Sequence, residues 1–442
     1  VTLFLWVVVV ALMHFDRGAA SVAAMDIVLN RYEEMEQLSF FYLVALLAWH
    51  SIGLALGSMV AGAAFQRASA KMVLVLSLAT NAIALFLLGV QAHGLVLTAL
   101  LRAVSGIAAS FPLAYLPLWV DEFSPVQARG RWMAIVQLGT PAGQFLGVFL
   151  ASIVTFGFKA SWRYAVIVQA LALIPAMLYL LVMPARQIDV ANLASLSARL
   201  DSPTLYSSEG STSIGHLHGL LREVREMLQA VSRNPLTVSI STVLCLLHST
   251  GAGLAIWTGP YLALGDGAPP PLAAVLVSGF TLAAMPLLGT CAGAVLCERW
   301  EGFKAGHHAA ALRVACAFVG LAALAAPASA VAAGFAARLG VVCLWLFGAG
   351  AFLPISVGIL MTAMPSYLRS FSAISSVLVF HLVGFVLVPG VVAVSMSCFS
   401  RSSHGLGFGV GVAFWTTAPA AFLLLLAYTR EPRSSAPVGL SG

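Results

Sequence analysis

Charged residues are scarce in this sequence. Only 9% of the 442 residues are Asp, Glu, Lys or Arg and 60% are hydrophobic, whereas soluble domains average about 25% charged residues. Polar segments are equally scarce, with one long example at 184–236. These shortages exclude a water-soluble globular protein, a receptor with a large ectodomain and a soluble enzyme on a single anchor. The composition predicts a multi-pass integral membrane protein.

Several chemical signatures are also missing. The six cysteines lack paired spacing and lie in or beside apolar runs, so we expect small core residues and neither disulfides nor a metal site. The sequence has no glycine-rich phosphate loop, which argues against direct use of ATP. The formal charge of +6 would suggest nucleic acid for a soluble protein, but membrane topology explains it better here. We therefore expect no cofactor, no metal and no nucleic-acid partner.

Apolar runs are the dominant feature of the chain, and twelve of them are long enough to span a membrane as helices. They occupy residues 3–28, 39–63, 72–92, 95–119, 132–156, 163–183, 236–262, 272–297, 309–332, 338–363, 371–396 and 406–428. The first run starts almost at Val1 without a methionine, so we expect a truncated start. We do not expect a cleaved signal peptide, because the run continues past His14 without a basic beginning or a small-residue cleavage site.

The long polar segment divides these runs into six and six. We predict an all-α integral membrane fold with two pseudo-symmetric six-helix bundles. The predicted domains are a first bundle at 1–183, a linker at 184–236 with an amphipathic surface helix, a second bundle at 237–429 and a tail at 430–442. Lys and Arg concentrate in the linker, in the tail and after even-numbered spans, which predicts that these parts are cytoplasmic.

The two halves also resemble each other weakly. A shift of 232 residues aligns Gly57 with Gly289, near the end of the second span of each half, and Asp16 with His248 in the first span. This match indicates a duplicated six-helix unit. Parallel six-helix repeats are typical of transporters that bind substrate between the repeats near the middle of the membrane.

Eight short motifs are spread along the chain from the first span to the eleventh. They are His14-Phe-Asp-Arg17, Arg102-Ala-Val-Ser-Gly106, the Arg-Gly-Arg at Arg129 to Arg131, Ser161-Trp-Arg-Tyr164, Arg233-Asn-Pro, Ala255-Ile-Trp-Thr-Gly-Pro-Tyr261, Pro365-Ser-Tyr-Leu-Arg369 and His381-Leu-Val-Gly384. In these motifs the chain resembles the major facilitator superfamily, and within it the Spinster-like transporters of lysolipids and sphingolipids. The resemblance implies a non-enzymatic monomer that moves a small-molecule or lipid substrate by alternating access, in either the plasma membrane or an endolysosomal-type membrane.

The chain departs from the family at three carboxylates. Gln66 stands where the loop after the second span usually has an acid, and Ala109 replaces a glutamate of the Spinster pattern. Phe385 stands where an aspartate usually follows the histidine of the eleventh span. If protons drive the protein, Asp16 is therefore the expected carrier, and His381 is the alternative.

The residues expected in a central cavity or in coupling are Asp16, Arg17, Arg102 and His381. A charge within a span costs at least about 2.5–3.5 kcal/mol on insertion scales, so Asp16 should line a cavity or form a structural pair. Arg102 is the natural counter-ion either for Asp16 or for an anionic headgroup, and the small residues that follow it leave room for a substrate or another helix. Glycines four residues apart, as at Gly139 and Gly143, favour helix packing.

Further candidates fall into two sets. Polar or aromatic residues that could line a substrate path are His14, Gln137, Gln144, His248 and Trp257, although an interfacial aromatic belt explains Trp257 equally well. Charged residues expected at a cytoplasmic gate, with a weaker latch in the first half because of Gln66, are Arg67, Lys71, Arg129, Arg131, Glu298, Arg299 and Arg369.

Two functional alternatives remain. One is a carrier of a polar organic anion or a sugar-like solute, which would need more polar residues in the helices than this sequence supplies. The other is a receptor that keeps the transporter fold without transport. A membrane-embedded enzyme is disfavoured because the spans lack clustered histidines and carboxylates.

Overall fold

The computed structural model describes most of the chain as helix. The described residues are 2–30, 38–90, 94–125, 132, 135–136, 138–189, 229, 231–263, 266–300, 308–363, 390–392, 394 and 403–430. Within them, ten stretches are long and apolar enough to cross a membrane, and a shorter apolar helix covers Ala48–Ala61. The predicted all-α membrane fold is confirmed. The predicted span at 371–396 and the linker helix at 215–231 lie largely outside the described residues.

The first half contributes six long helices. They are α1 (Thr2–Asn30), α2 (Leu38–Arg67), α3 (Ala70–Val90), α4 (Leu95–Phe123), α5 (Gly139–Ser152) and α6 (Arg163–Val182). A π-helical turn at Ile153–Gly157 follows α5, and a short 3₁₀ turn at Ala185–Gln187 follows α6. The helix bounds fall within a few residues of the predicted spans, except that regular helix in the fifth span begins at Gly139.

The second half contributes seven described helices. They are α7 (Pro235–Ala263), α8 (Pro271–Arg299), α9 (His308–Ala323), α10 (Ala325–Val331), α11 (Phe335–Ala363), α12 (Ser403–Trp415) and α13 (Thr417–Arg430). α9 with α10, and α12 with α13, each form one interrupted span. Prolines lie inside several of these helices, including Pro286 and Pro354, as is common where neighbouring helices compensate for a missing hydrogen bond.

The outer surface is apolar. Val182, Phe158 and Val96 are 86%, 77% and 72% exposed, and many other large hydrophobic side chains face outward. An exposed apolar surface of this kind would make the protein associate or aggregate in water. In lipid it is the expected solvent-facing surface, so the protein is a multi-pass integral membrane protein.

The chain divides into two compact units. The first comprises Val1–His216, Ala255–Leu264 and Ala268–Ala283, and the second comprises Leu217–Leu254, Gly265–Gly267 and Ala284–Gly442. Inside the first, α1 packs on α5, α2 packs on α4, and α3 packs on α4 and α6. Inside the second, α9 packs on α11 and α13, and α10 packs on α12.

Glycines create the tightest helix contacts, as predicted. A methyl group on Gly143 would overlap the backbone of Ala11, and one on Gly53 would overlap the backbone of Ala103. In the second unit, Gly293 meets the backbone of Ala351 in the same way. These contacts bring helix backbones together without a side chain between them.

Candidate functional site

A buried ion pair joins α1 to α4. The Nη1 of Arg102 donates a hydrogen bond to the Oδ2 of Asp16 over 2.5 Å, and the two residues are 2% and 3% exposed. A charge-assisted bond of this kind is strong when water is excluded. Of the two partners that the sequence left open for Arg102, the structure shows Asp16. Whether the pair also serves in coupling remains a prediction.

His50 is the third member of this cluster, and it comes from α2. Its Nδ1 lies 3.7 Å from the Oδ2 of Asp16, and the residue is 2% exposed. Among the described residues, neither ring nitrogen of His50 has a hydrogen-bond partner, and neither does the Oδ1 of Asp16. His50 is not predictable from the sequence, because a single histidine in an apolar helix shows no sign of what faces it.

Small residues on α4 explain how His50 reaches this position. A methyl group on Gly106 would overlap the carbonyl oxygen of His50, so the backbone of α2 lies directly on α4 one turn after Arg102. The small face that follows Arg102 therefore accommodates another helix at this point. Ala109, which replaces the family glutamate, is 1% exposed.

Neutral polar residues form hydrogen bonds about one helical turn from the pair along α1 and α4. Ser105 donates a hydrogen bond to the Oδ1 of Asn81 over 2.7 Å, and the Nδ2 of Asn81 contacts the Sδ of Met13 at 3.3 Å. The Nε2 of Gln169 donates to the carbonyl of Leu12 over 2.6 Å. α1, α3, α4 and α6 thus contribute to one buried polar layer. Ser105 and Gln169 were not predicted, because isolated polar residues in helices carry little signal.

The other predicted substrate-lining residues behave differently. The Nδ1 of His14 lies 2.9 Å from the carbonyl of Val10, and the Nδ1 of His248 lies 3.0 Å from the carbonyl of Leu244. Each ring therefore bonds the preceding turn of its own helix. Trp257 is 1% exposed, so it lies inside the protein and not in an interfacial belt.

The remaining predicted cavity residues are described only in part. Arg17 and Gln144 are half-buried, and Arg17 lies close enough to interact electrostatically with Asp16. Gln137 and His381 lie outside the described residues, so their predicted roles stay predictions.

Among the predicted gate residues, Lys71 forms a junction between two helices and the linker. Its Nζ donates to the carbonyls of Leu181 and Met183, each over 2.7 Å, and its backbone N–H donates to Asp189 over 2.9 Å. Lys71 therefore ties the start of α3 to the end of α6 and to the first residues of the linker. The sequence predicts Lys71 at a gate, but no motif in it indicates Asp189.

Two aromatic residues at the end of α4 hold the same linker segment. The hydroxyl of Tyr115 donates to the carbonyl of Ile188 over 2.5 Å, and the Nε1 of Trp119 donates to the carbonyl of Gln187 over 3.0 Å. Glu298 and Arg299 are exposed at the end of α8. The side chain of Arg67 and the whole of Arg129, Arg131 and Arg369 lie outside the described residues.

In the part of the chain that the structure describes, no group of three His, Cys, Asp or Glu residues is arranged to hold a metal ion. Cys245 and Cys297 are buried and form no disulfide, as expected of core residues. Cys291 is also free but exposed, so the prediction that it belongs to the core is wrong. It occupies an outward-facing position of α8, where a small apolar side chain is compatible with lipid.

Comparison with known proteins agrees with this architecture. A profile of the Major Facilitator Superfamily matches residues 6–424. No curated protein matches the chain in sequence. Among solved structures, a bacterial homologue of the human lysosomal transporter Spinster, in an inward-facing and unoccupied conformation, superposes with a TM-score of 0.74 at 14% identity, covering 97% of this chain and 96% of that one.

Carriers of other substrates share the fold. The xylose transporter XylE from E. coli in an inward open conformation gives a TM-score of 0.62 at 14% identity, covering 99% of this chain and 97% of that one. A nucleoside transporter gives a TM-score of 0.65 at 12% identity, covering 96% of this chain and 99% of that one. At these identities the likeness concerns the fold alone, whereas the profile covers nearly the whole sequence. The chain belongs to the major facilitator superfamily.

Proposed function

We propose that the protein is a secondary transporter that moves an amphipathic organic solute by alternating access, with a lysophospholipid or sphingoid lipid as the substrate class. The observation that carries the proposal is the ion pair of Asp16 and Arg102 inside two apolar spans. Ionisable residues at such depth are costly, and they generally mark substrate or ion pathways. A stable helix bundle could be built without this pair.

The chemistry of the pair suits a charged headgroup. The planar guanidinium of Arg102 matches the geometry of a phosphate or carboxylate, and it is now held by a carboxylate of the protein. The surrounding helices are mostly apolar, which suits a hydrocarbon tail. The motif resemblance to Spinster-like transporters supports the same substrate class, and the bacterial Spinster homologue shares the fold.

The pair also offers a route for proton coupling. A proton that neutralises Asp16, or a change of its partner, would release Arg102 toward an anionic substrate. Return of Arg102 to Asp16 would release both the proton and the substrate. The electrochemical proton gradient would then drive accumulation through the Asp16 pair.

Orientation is part of the proposal. Both termini and residues 184–236 lie on the cytoplasmic side, because Lys and Arg are concentrated there. Labelling of a cysteine introduced at position 207 in sealed cells tests this orientation. Reaction of this cysteine with an impermeant reagent added outside the cells would contradict the proposed orientation.

The substrate class is tested in proteoliposomes. Radiolabelled lysophosphatidylglycerol and a radiolabelled hexose are offered separately, with and without an inward proton gradient, and protein-free liposomes serve as the control. We expect saturable uptake of the lysolipid that increases with the gradient, and none of the hexose. Hexose uptake alone would favour the sugar-like alternative. Absence of both would favour a receptor with a transporter fold and would contradict the proposal.

A further inference from the structure

Asp16 faces two basic side chains from two different helices. Arg102 of α4 binds its Oδ2 at 2.5 Å, and His50 of α2 lies 3.7 Å from the same oxygen. Among the described residues, the Oδ1 of Asp16 and both ring nitrogens of His50 have no hydrogen-bond partner. Buried polar groups without partners destabilise a protein. Their juxtaposition therefore points to a second arrangement in which His50 and Asp16 are bonded.

The displacement that this arrangement needs is small. Charge-assisted bonds between a protonated nitrogen and a carboxylate have lengths of about 2.7–2.9 Å, so an approach of about 1 Å closes the contact. The backbone of His50 is held against α4, because its carbonyl lies against Gly106. Asp16 thus has two alternative basic partners within reach.

Charge balance decides which partner Asp16 takes. While Arg102 holds Asp16, the pair is neutral, and a proton on His50 would add an uncompensated buried charge. Among the described residues, Arg17 on α1 also acts electrostatically on His50, and its positive charge would repel that proton further. If Arg102 leaves, Asp16 becomes the unpaired charge. His50 then lies within salt-bridge distance of it.

We propose that His50 is the proton-binding residue of this transporter, and that Asp16 exchanges Arg102 for protonated His50 when Arg102 turns to an anionic group of the substrate. One proton from water binds a ring nitrogen of His50, and the bundle gains one positive charge. That charge balances the one negative charge of the bound anion. When the anion leaves, Arg102 returns to Asp16 and His50 releases its proton to water.

The exchange predicts a stoichiometry of one proton for each singly charged anion. Asp16 remains ionised throughout, in contrast to a mechanism in which the carboxylate itself takes the proton. This inference rests on the proposed function in one respect, namely that the bound anion is the headgroup of a lysolipid. The change of partner on Asp16 is a property of the protein, which makes it testable without substrate.

The first experiment needs no substrate. Protein labelled with ¹⁵N-histidine in lipid nanodiscs is compared by NMR at neutral pH, and the His50 signal is assigned as the one absent from H50Q. We expect a neutral ring in the wild type, a protonated ring in R102Q, and a neutral ring again in the R102Q/D16N double variant. A neutral His50 in folded R102Q would overturn the proposal.

The second experiment uses intact Arg102, so it does not depend on the folding of R102Q. Proton uptake from a weakly buffered solution is measured with a pH dye when lysophosphatidylglycerol binds to protein in nanodiscs. We expect one proton per bound lipid for the wild type and a loss of that uptake for H50Q. The matched control is H308Q, the same substitution at a half-buried histidine at the start of α9, outside the cluster of Asp16, His50 and Arg102.

The outcomes separate this inference from the proposed function. Uptake of a proton by H50Q equal to that of the wild type assigns the proton to Asp16, which overturns the role of His50 and leaves lysolipid transport intact. Absence of lysolipid binding by the wild type contradicts the proposed substrate, and the histidine spectra still decide the exchange of partners.

Discussion

The backbone N–H of Lys71 donates a hydrogen bond to the carboxylate of Asp189, a residue 118 positions further along the chain. Lys71 is the second residue of α3, so Asp189 satisfies one of the N–H groups that the first turn of a helix leaves without a partner. A carboxylate at this end also interacts favourably with the helix dipole. The linker thus supplies an acid next to the loop in which Gln66 replaces the family's carboxylate.

Removal of this cap should loosen the junction. We expect Asp189→Ala to lower the free energy of unfolding by about 1 kcal/mol, as for other N-cap losses, whereas Asp189→Asn should cost less because the amide oxygen still accepts the bond. Thermal unfolding and protease cleavage after residue 189 measure the effect. Equal stability of the alanine variant and the wild type would show that the bond contributes nothing.

Proton-driven uptake should depend on the charge of Asp16. We expect Asp16→Asn to abolish accumulation driven by a pH gradient and to spare substrate exchange, because the amide cannot alternate between basic partners as a carboxylate does. Asp26→Asn is the matched control, since it makes the same change about 15 Å further along the same helix.

Transport of labelled lysophosphatidylglycerol into proteoliposomes is the measurement for both variants. Full gradient-driven accumulation by Asp16→Asn would remove Asp16 from the coupling mechanism. In that case His381 or a uniport mechanism becomes the better interpretation.

A purely structural role for the ion pair is distinguishable from a functional one. Arg102→Ala should destabilise the protein by about 3–5 kcal/mol, because Asp16 is left as an unpaired buried charge. Replacement of both residues, as Asp16→Leu with Arg102→Met, should restore most of that stability, because buried pairs are often replaceable by apolar residues of similar volume.

The double variant then separates the two roles. If the pair serves transport, the stable double variant is inactive in the lysolipid assay. If it retains wild-type uptake at wild-type stability, the pair serves only packing.

Gly106 should tolerate no side chain. A methyl group there would overlap the carbonyl of His50, so we expect Gly106→Ala to push α2 away from α4 and to lower stability by about 1–3 kcal/mol. Gly320→Ala is the control, since no atom lies within 4 Å of the added methyl group and the change should be neutral or slightly stabilising. Thermal unfolding and the transport assay compare the two. A tolerated Gly106→Ala would mean that the contact between α2 and α4 is looser than described.

The fold was largely predictable from the sequence, and the site was predictable only in part. Spans follow directly from runs of apolar residues, because lipid imposes both the length and the helical conformation. Asp16 and Arg102 were predicted as counter-ions because charges within apolar spans are rare enough to require each other. Cys291 was wrongly predicted as a core residue, because lipid tolerates a thiol as well as the protein interior does.

His50 and Asp189 could not be predicted for two different physical reasons. The place of His50 depends on the register of α2 against α4, which contacts at Gly53 and Gly106 determine in three dimensions. Asp189 acts through a bond to the backbone of Lys71, and backbone N–H groups are the same in every sequence. Neither relationship leaves a pattern in the order of residues.

The glycine contacts have a mechanical consequence for the charged cluster. α1 and α5 meet backbone to backbone at Gly143 and Gly147, and α2 and α4 do so at Gly53 and Gly106. Sliding within either pair would force larger side chains into these crossings, so we expect each pair to move as one rigid body. Asp16 travels with the first body, and His50 and Arg102 both travel with the second. A shift of one body past the other therefore changes both distances to Asp16 in a single motion.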